Sequence, residues 1–272
     1  MRGWILLPLC VLLNACATNA VTGRRQLMLV SEEQAIVASK QAYTTEVQKL
    51  KSEGKLSTDT VLNDRVYRIT RRLIAQAILY RPETQQWEWS VQVINDPKNA
   101  NAYCMAGGRM AIYTGIIDQL DASDDEIAQV MGHEIGHALS AHTAEKMSEM
   151  MVLSGIVAGF GIAKGDKAAL LAGLAGGALS LKYSRDKETE ADRIGIELAA
   201  KAGYAPDAAI ALWQKMAKLG GAGNGGVIGK VQGFFSTHPS SGDRIANMKK
   251  WSPIMMPYYE QPGERAEFPL QQ

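Results

Sequence analysis

The stretch VMGHEIGHALSAH, Val130–His142, holds three of the chain's four histidines, and the rest of the sequence is read from it. His133, Glu134 and His137 spell H-E-x-x-H. On an α-helix, at roughly 100° per residue, positions i and i+4 share a face about one turn apart. Two imidazoles so placed can bind one Zn2+, and Glu134 beside them can take a proton from an attacking water. The same five-residue pattern also arises by chance on ordinary helices, so its context decides. Ser123 with Glu126 three residues on forms a capping box, and Asp124, Asp125 and Glu126 suit the positive end of a helix dipole. Gly132, Gly136 and Ala138 give the motif a small-residue surroundings in which another element can approach. A metal-binding helix that opens at Ser123 is the reading this context supports.

Composition excludes little but excludes it cleanly. The 272 residues suffice for one large domain or two small ones. With 29 Lys+Arg against 28 Asp+Glu the formal net charge is +1, so no nucleic-acid partner is expected. The N-terminus carries one Arg and then an apolar run, Trp4–Leu13, too short to span a bilayer and shaped like a signal-peptide core. It ends in Leu13-Asn14-Ala15-Cys16, which resembles a bacterial lipobox with Asn as the departure. Residues 1–15 are therefore expected to be a signal peptide and Cys16 a lipidated residue, followed by a tether over 16–30. Ala17 rather than Asp after the anchor resembles the enterobacterial sorting cue for the outer membrane. With Cys10 removed and Cys16 lipidated, only Cys104 is left as a thiol, and no intramolecular disulfide is expected.

Along the chain, Ser31 and Gln34 form another capping box, and Gly54 ends the helix they open. Leu62, Val66, Ile69, Leu73 and Ala77 make an apolar stripe on a helix over Thr60–Tyr80. Trp87, Trp89, Val91 and Val93 alternate with Glu88, Ser90 and Gln92, a half-buried strand. NAYCMAGGRMAIYTG, Asn101–Gly115, reads as a hairpin turning at Gly107-Gly108. Two apolar runs within Val152–Leu181 flank Lys164-Gly165-Asp166-Lys167, and neither reaches the ~20 residues of a membrane span. They predict a buried helical hairpin, with a hydrophobic flap or a membrane contact as the alternative. GGAGNGGVIGK, Gly220–Lys230, reads as a flexible loop. The expected fold is α+β and mostly helical, with a small antiparallel sheet beside the zinc helix. One metallopeptidase domain over 31–252 and a C-terminal tail over 253–272, loose over Pro262–Gln272, complete it.

A catalytic zinc takes a third protein ligand. The pattern H-E-x-x-H-x-x-G-x-x-H fails here, because Ser140 and Thr143 occupy its last two fixed positions and His142 comes one residue early. Among later acids, Glu145 and Glu149 lie two to three turns beyond His137 on the same helix or its extension, too far along the axis. In SRDKETEADRIGIELAAKAG the apolar stripe is Ala191, Ile194, Gly195, Leu198 and Ala202. Glu188 falls roughly 60° from Ala191, whereas Glu190 and Glu197 fall roughly 100–120° away on the other side. Glu188 and Asp192 share a flank, so one carboxylate can bind the metal while the other orients a histidine through its second ring nitrogen. The competing reading, a solvated face pairing with Lys187 or Arg193, loses to the upstream motif.

HEIGH, then YSRDKETEAD, then STHPSSGDRI resembles the HtpX- and BepA-like zinc metallopeptidases, a gluzincin family that includes the CAAX prenyl proteases. The resemblance covers roughly residues 30–250. It implies Glu188 as third zinc ligand, Asp192 as the partner of His133, and His238 as the group that steadies the oxyanion. It implies an active-site place for Arg244 without fixing a role. It also implies that Asn101, Ala102, Tyr103, Gly107 and Gly108 belong to a substrate-binding edge strand, to which an extended peptide adds by main-chain hydrogen bonds. His142 is read as structural. The expectation is a zinc endopeptidase, lipid-anchored on the periplasmic side of the envelope, acting on misfolded envelope proteins. The alternative is a chaperone-like lipoprotein that binds unfolded outer-membrane clients and whose proteolysis is latent.

Overall fold

The computed structural model of the chain describes residues 16–19, 21–153, 164–220, 232–238 and 242–270. The signal peptide at 1–15, the apolar segment 154–163 and most of the glycine-rich loop, 221–231, lie outside them.

Two long helices follow the N-terminal strands β1 (Cys16–Thr18) and β2 (Arg25–Leu27). α1 (Glu32–Ser52) opens with the Ser31–Gln34 capping box and ends before Gly54, whose φ is +66°. α2 (Thr60–Tyr80) is capped by Asp59 and buries Val66, Ile69, Leu73 and Ala77, the stripe read from sequence. Strands β3 (Ser90–Ile94), β4 (Ala102–Met105) and β5 (Arg109–Tyr113) form a sheet in the order β3-β5-β4. The sheet is mixed, not wholly antiparallel: β4 pairs antiparallel with β5, but β3 runs parallel to β5. The cause is local. Gly107 and Gly108, with φ of +83° and +79°, make the tight turn that joins β4 to β5. β5 then lies beside β3, in register from Ser90↔Arg109 to Ile94↔Tyr113, and β4 is left at the edge.

After the short α3 (Thr114–Leu120), the Ser123–Glu126 capping box opens α4 (Asp124–Leu139), the helix that carries the histidines. α4 is buried from Glu126 to Leu139, so it is the central helix rather than a surface one. Ala141, with φ +52°, breaks the chain into α5 (His142–Leu153). α6 (Lys164–Ala178) packs Leu174, Ala175 and Ala178 with Val30, Ala35, Ala38 and Met147, which bears out a packed helix for that half of the apolar segment. No helix among the described residues is long and apolar enough to cross a membrane. α7 (Arg185–Lys201), α8 (Ala208–Gly220), α9 (Gln232–Thr237) and α10 (Gly242–Tyr259) complete the fold.

Two expected boundaries change. Residues 16–30 are not a free tether: β1 (Cys16–Thr18) pairs with β2 (Arg25–Leu27), and buried Asn19 and Gln26 both donate to the Ser140 carbonyl at 2.7 and 2.9 Å. Those amides satisfy one of the orphaned carbonyls at the end of α4, which a free tether would leave open. Nor does the tail begin at 253. α10 continues through Pro253 and Pro257, Met255 is buried, and Phe268 donates its amide to the Arg71 carbonyl while packing against the main core. Packing of Met255 against the core holds the helix together across both prolines.

The contact that positions the site is α4 against α7. A Cβ at Gly132 would lie 2.8 Å from the Gly195 carbonyl oxygen, and one at Gly136 would lie 2.7 Å from that of Ala191. A Cβ at Gly195 would lie 2.6 Å from the His133 backbone nitrogen. Only hydrogens fit there, so the two backbones touch and the first turns of α7 come over the histidines. Gly195→Ala is therefore expected to cost about 1–3 kcal/mol, the range for overpacking a core. It should also lower bound zinc, because it separates α7 from α4; thermal unfolding and metal content report the two effects.

Candidate metal centre

His133 and His137 project from α4 one turn apart and are both buried. Their Nε2 atoms are 3.1 Å apart. Glu188, in the first turn of α7, places Oε2 3.6 Å from His133 Nε2 and Oε1 3.5 Å from His137 Nε2. His238, at the end of α9, places Nδ1 3.2 Å from His133 Nε2 and 3.0 Å from Glu188 Oε1. All four offered atoms lie within 4.8 Å of one another. Neighbouring ligand atoms of a tetrahedral zinc with bonds of ~2.0–2.1 Å are roughly 3.3–3.4 Å apart, so this is the spacing of a coordination shell. The donor set of imidazoles and one carboxylate suits zinc.

The residues around the shell fix its proton pattern. His133 Nδ1 is 2.9 Å from Asp192 Oδ1, so its ring donates there and leaves Nε2 free to face the shell. Arg244 forks over the same acids: Nε and Nη2 donate to Asp192 at 2.7 and 2.5 Å, and Nη1 donates to Glu188 at 2.5 Å. The guanidinium is buried and lies 3.6 Å above the Trp213 ring centroid. This supplies the role that sequence left open for Arg244. Burial works against the charge of Asp192, but Arg244 and His133 outweigh it and hold the carboxyl below its usual range. For Glu188 burial again opposes ionisation, and His238 and His137 lead the contacts that hold it well below that range.

Glu134 differs from the other acids. Its Oε1 is buried with no hydrogen-bond partner among the described residues, 3.5 Å from His238 Nε2. Burial, followed by opposing and assisting charges at His133 and Glu188, pushes its carboxyl up to about 8. A dication in the shell would draw it back down. An unpartnered carboxylate oxygen beside such a shell is where a water to be deprotonated would be held.

Each expected site residue can now be placed. Glu188 and Asp192 lie on the shell side of α7, as helix phase required. The acids set aside are held elsewhere: Glu197 by Arg193 and Lys201, Glu149 by Lys187, and Glu145 and Glu190 by Arg24. His238 is not set back from the histidines, where an oxyanion donor would stand, but at the fourth corner of the shell. Asn101 and Tyr103 line a cleft of 570 Å³ beside β4, with Glu46, Tyr113 and Thr237 among the other walls. Ala102 instead points into the main core, while Gly107 and Gly108 serve the turn, packed at Ile36 and Trp89. Those three are structural supports of the edge rather than walls of the cleft.

Sequence reading missed two neighbours of His137. The Tyr183 ring stacks on it at 3.9 Å between centroids, and the Lys146 ammonium lies 3.4 Å from the Tyr183 centroid. His142 Nδ1 is 2.8 Å from His137 Nδ1. The one signal for His142 was its own abundance in the motif; on a straight helix it points away, and the positive φ of Ala141 is what folds it back.

The sequence matches peptidase family M48 over residues 61–252, which includes every residue of this shell. The chain belongs to peptidase family M48. Among M48-like relatives, it is 37% identical over 175 residues to the mitochondrial metalloendopeptidase OMA1 of Saccharomyces cerevisiae, covering 64% of this chain and 50% of that one. It is 32% identical over 155 residues to the metalloprotease YcaL of Escherichia coli, covering 56% and 58%. It is 28% identical over 211 residues to the putative beta-barrel assembly-enhancing protease of Vibrio cholerae, covering 74% and 41%. The chain thus spans about half the length of the curated relatives it matches.

Proposed function

We propose that this M48 chain is a zinc-dependent endopeptidase of the bacterial cell envelope. The carrying observation is the buried shell of His133, His137 and Glu188 beside an unpartnered Glu134 oxygen. When bound, zinc supplies Lewis acidity toward the scissile carbonyl and the attacking water. Glu134 accepts the water proton and delivers it to the leaving amine. Asp192 and Arg244 hold His133 and Glu188 in place, and Arg244 balances the two carboxylates that would otherwise be buried as uncompensated charge. The outer edge of β4 takes the substrate as an added strand, with Asn101 and Tyr103 facing the cleft it would occupy. His238 steadies the oxyanion once its ring moves from the shell corner toward substrate.

The substrates we infer are misfolded or maturing envelope proteins. The Leu13–Cys16 lipobox supports a lipid anchor at Cys16 on the periplasmic side, with the outer membrane favoured by Ala17. The name of the Vibrio relative, which refers to β-barrel assembly, is in keeping with outer-membrane clients.

One observation favours a second reading, a client-binding lipoprotein with latent proteolysis. With His238 at the fourth corner, four protein ligands would close the position a catalytic zinc keeps open. Casein digestion by wild type and by His238→Ala, with and without chelator, separates the two. The endopeptidase reading expects chelator-sensitive, zinc-restored cleavage by wild type, and a loss of about 10²–10³-fold in His238→Ala if the ring serves the oxyanion. Cleavage absent in wild type and released in His238→Ala establishes the latent reading instead.

A further inference from the structure

The N-terminal hairpin reaches the metal centre by a chain of hydrogen bonds whose directions are forced. Arg24, in the loop between β1 and β2, can only donate. Its Nη1 and Nη2 donate to the two carboxylate oxygens of Glu145 at 2.8 and 2.6 Å, and its Nε donates to Glu190 Oε1 at 2.8 Å. Glu190, charged and accepting, takes its second hydrogen bond at Oε2 from His142 Nε2, 2.9 Å away. A neutral imidazole that donates from Nε2 must accept at Nδ1. His142 Nδ1 is 2.8 Å from His137 Nδ1, so the proton in that contact belongs to His137 Nδ1. His137 Nε2 is then left with a lone pair, and it faces His133 Nε2 and Glu188. With a neutral His142 and an ionised Glu190, any other assignment sets two protons or two lone pairs against each other.

We propose that Arg24, Glu190 and His142 form a positioning relay that holds His137 in its metal-binding tautomer and orientation, which makes the N-terminal hairpin part of the metal centre. The inference rests on the reading of His133, His137 and Glu188 as zinc ligands. His133 has a carboxylate directly on its Nδ1, whereas His137 receives the same support through an intervening imidazole. His142 and His137 are both buried, so no bulk water competes for the contact between them. The hairpin is also clamped to the end of the same helix, through Asn19 and Gln26 on the Ser140 carbonyl and Gln26 on Glu145. Lifting the hairpin would remove the Arg24 cation from Glu145 and Glu190 together and free His142 to turn.

The test is zinc affinity, measured by competition with a chromophoric chelator, and the visible d–d spectrum of the Co2+-substituted protein. Arg24 is partly exposed, so Arg24→Ala is expected to fold. Arg24→Ala and Glu190→Ala are each expected to weaken zinc binding by about 10–100-fold and to alter the cobalt spectrum, the range seen when the support of a metal ligand is lost. Arg24→Lys should restore only part, since an ammonium cannot span both acids with the fork. Wild-type zinc affinity and cobalt spectrum in both Ala variants, with only thermal stability lowered, would overturn the relay. His133→Ala is the separate control: it abolishes zinc binding if the ligand reading is right, and zinc held as tightly as in wild type would refute that reading.

Discussion

Glu134→Gln is expected to bind one zinc with wild-type affinity, to unfold at a temperature no lower than wild type, and to lose about 10²–10⁴-fold in kcat/KM for peptide cleavage, the contribution of a positioned general base. The reasoning is specific to this carboxyl. Glu134 projects from α4 between His133 and His137 in sequence, yet it is not among the four residues whose atoms converge on one point. Its Oε1 accepts no hydrogen bond from the protein, so the amide leaves no donor orphaned there. Gln keeps the shape and removes the ability to take a proton. Burial also pushes this carboxyl up to about 8, so in the metal-free protein at neutral pH the amide replaces a group already held mostly in its neutral form. Metal content, thermal unfolding and peptide kinetics on one preparation test the three parts together. Cleavage at the wild-type rate would remove Glu134 from the mechanism.

Arg244→Ala is expected to produce the other large effect, and it acts on stability and metal together. The guanidinium is the shared donor of Glu188 and Asp192, and all three are buried. Removing it leaves two carboxylates uncompensated, a loss of about 3–5 kcal/mol by the general behaviour of broken buried ion pairs. Zinc affinity should fall by about 10–100-fold, because Asp192 no longer holds His133 and Glu188 no longer has its fixed rotamer. Arg244→Lys should recover little, since one ammonium cannot reach both acids in the fork geometry and loses the stacking over Trp213. Urea unfolding with and without saturating zinc measures both effects. A variant as stable as wild type, with unchanged zinc affinity, would mean that Arg244 is a bystander.

Much of this centre was legible before any coordinates, and the legible part has a physical signature. The start of α4 was written in the Ser123–Glu126 box, and the choice of Glu188 over Glu190 followed from helix phase alone. Both are short-range properties of one helix. The hairpin at Gly107-Gly108 was likewise legible, since positive φ at two successive residues calls for glycine. What escaped was set by distant contacts. The parallel pairing of β3 with β5 depends on which strand takes the inner position, and alternation within β3 carries no such information. His142 was set aside as a ligand because it comes one residue early; its contact with His137 depends on the break at Ala141, a non-glycine residue at positive φ, which has no local sequence signal. The polar Asn19, Arg24 and Gln26 looked like tether residues, and their partners lie more than a hundred positions on. The three glycines of the α4–α7 contact were visible as small residues, but only the crossing of the two backbones shows why no larger residue fits.

In the proposed site, α7 supplies the ligand missing from the histidine helix. The most direct measurement is the distance from the Glu188 carboxylate to zinc in a crystal structure of the zinc-loaded protein. With Glu188 as third ligand, one of its oxygens lies ~2.0–2.2 Å from zinc, and Nε2 of both His133 and His137 lies ~2.0–2.1 Å away. Zinc held by the histidines with Glu188 more than ~4 Å away, or held through His142 or Glu190 instead, would contradict it.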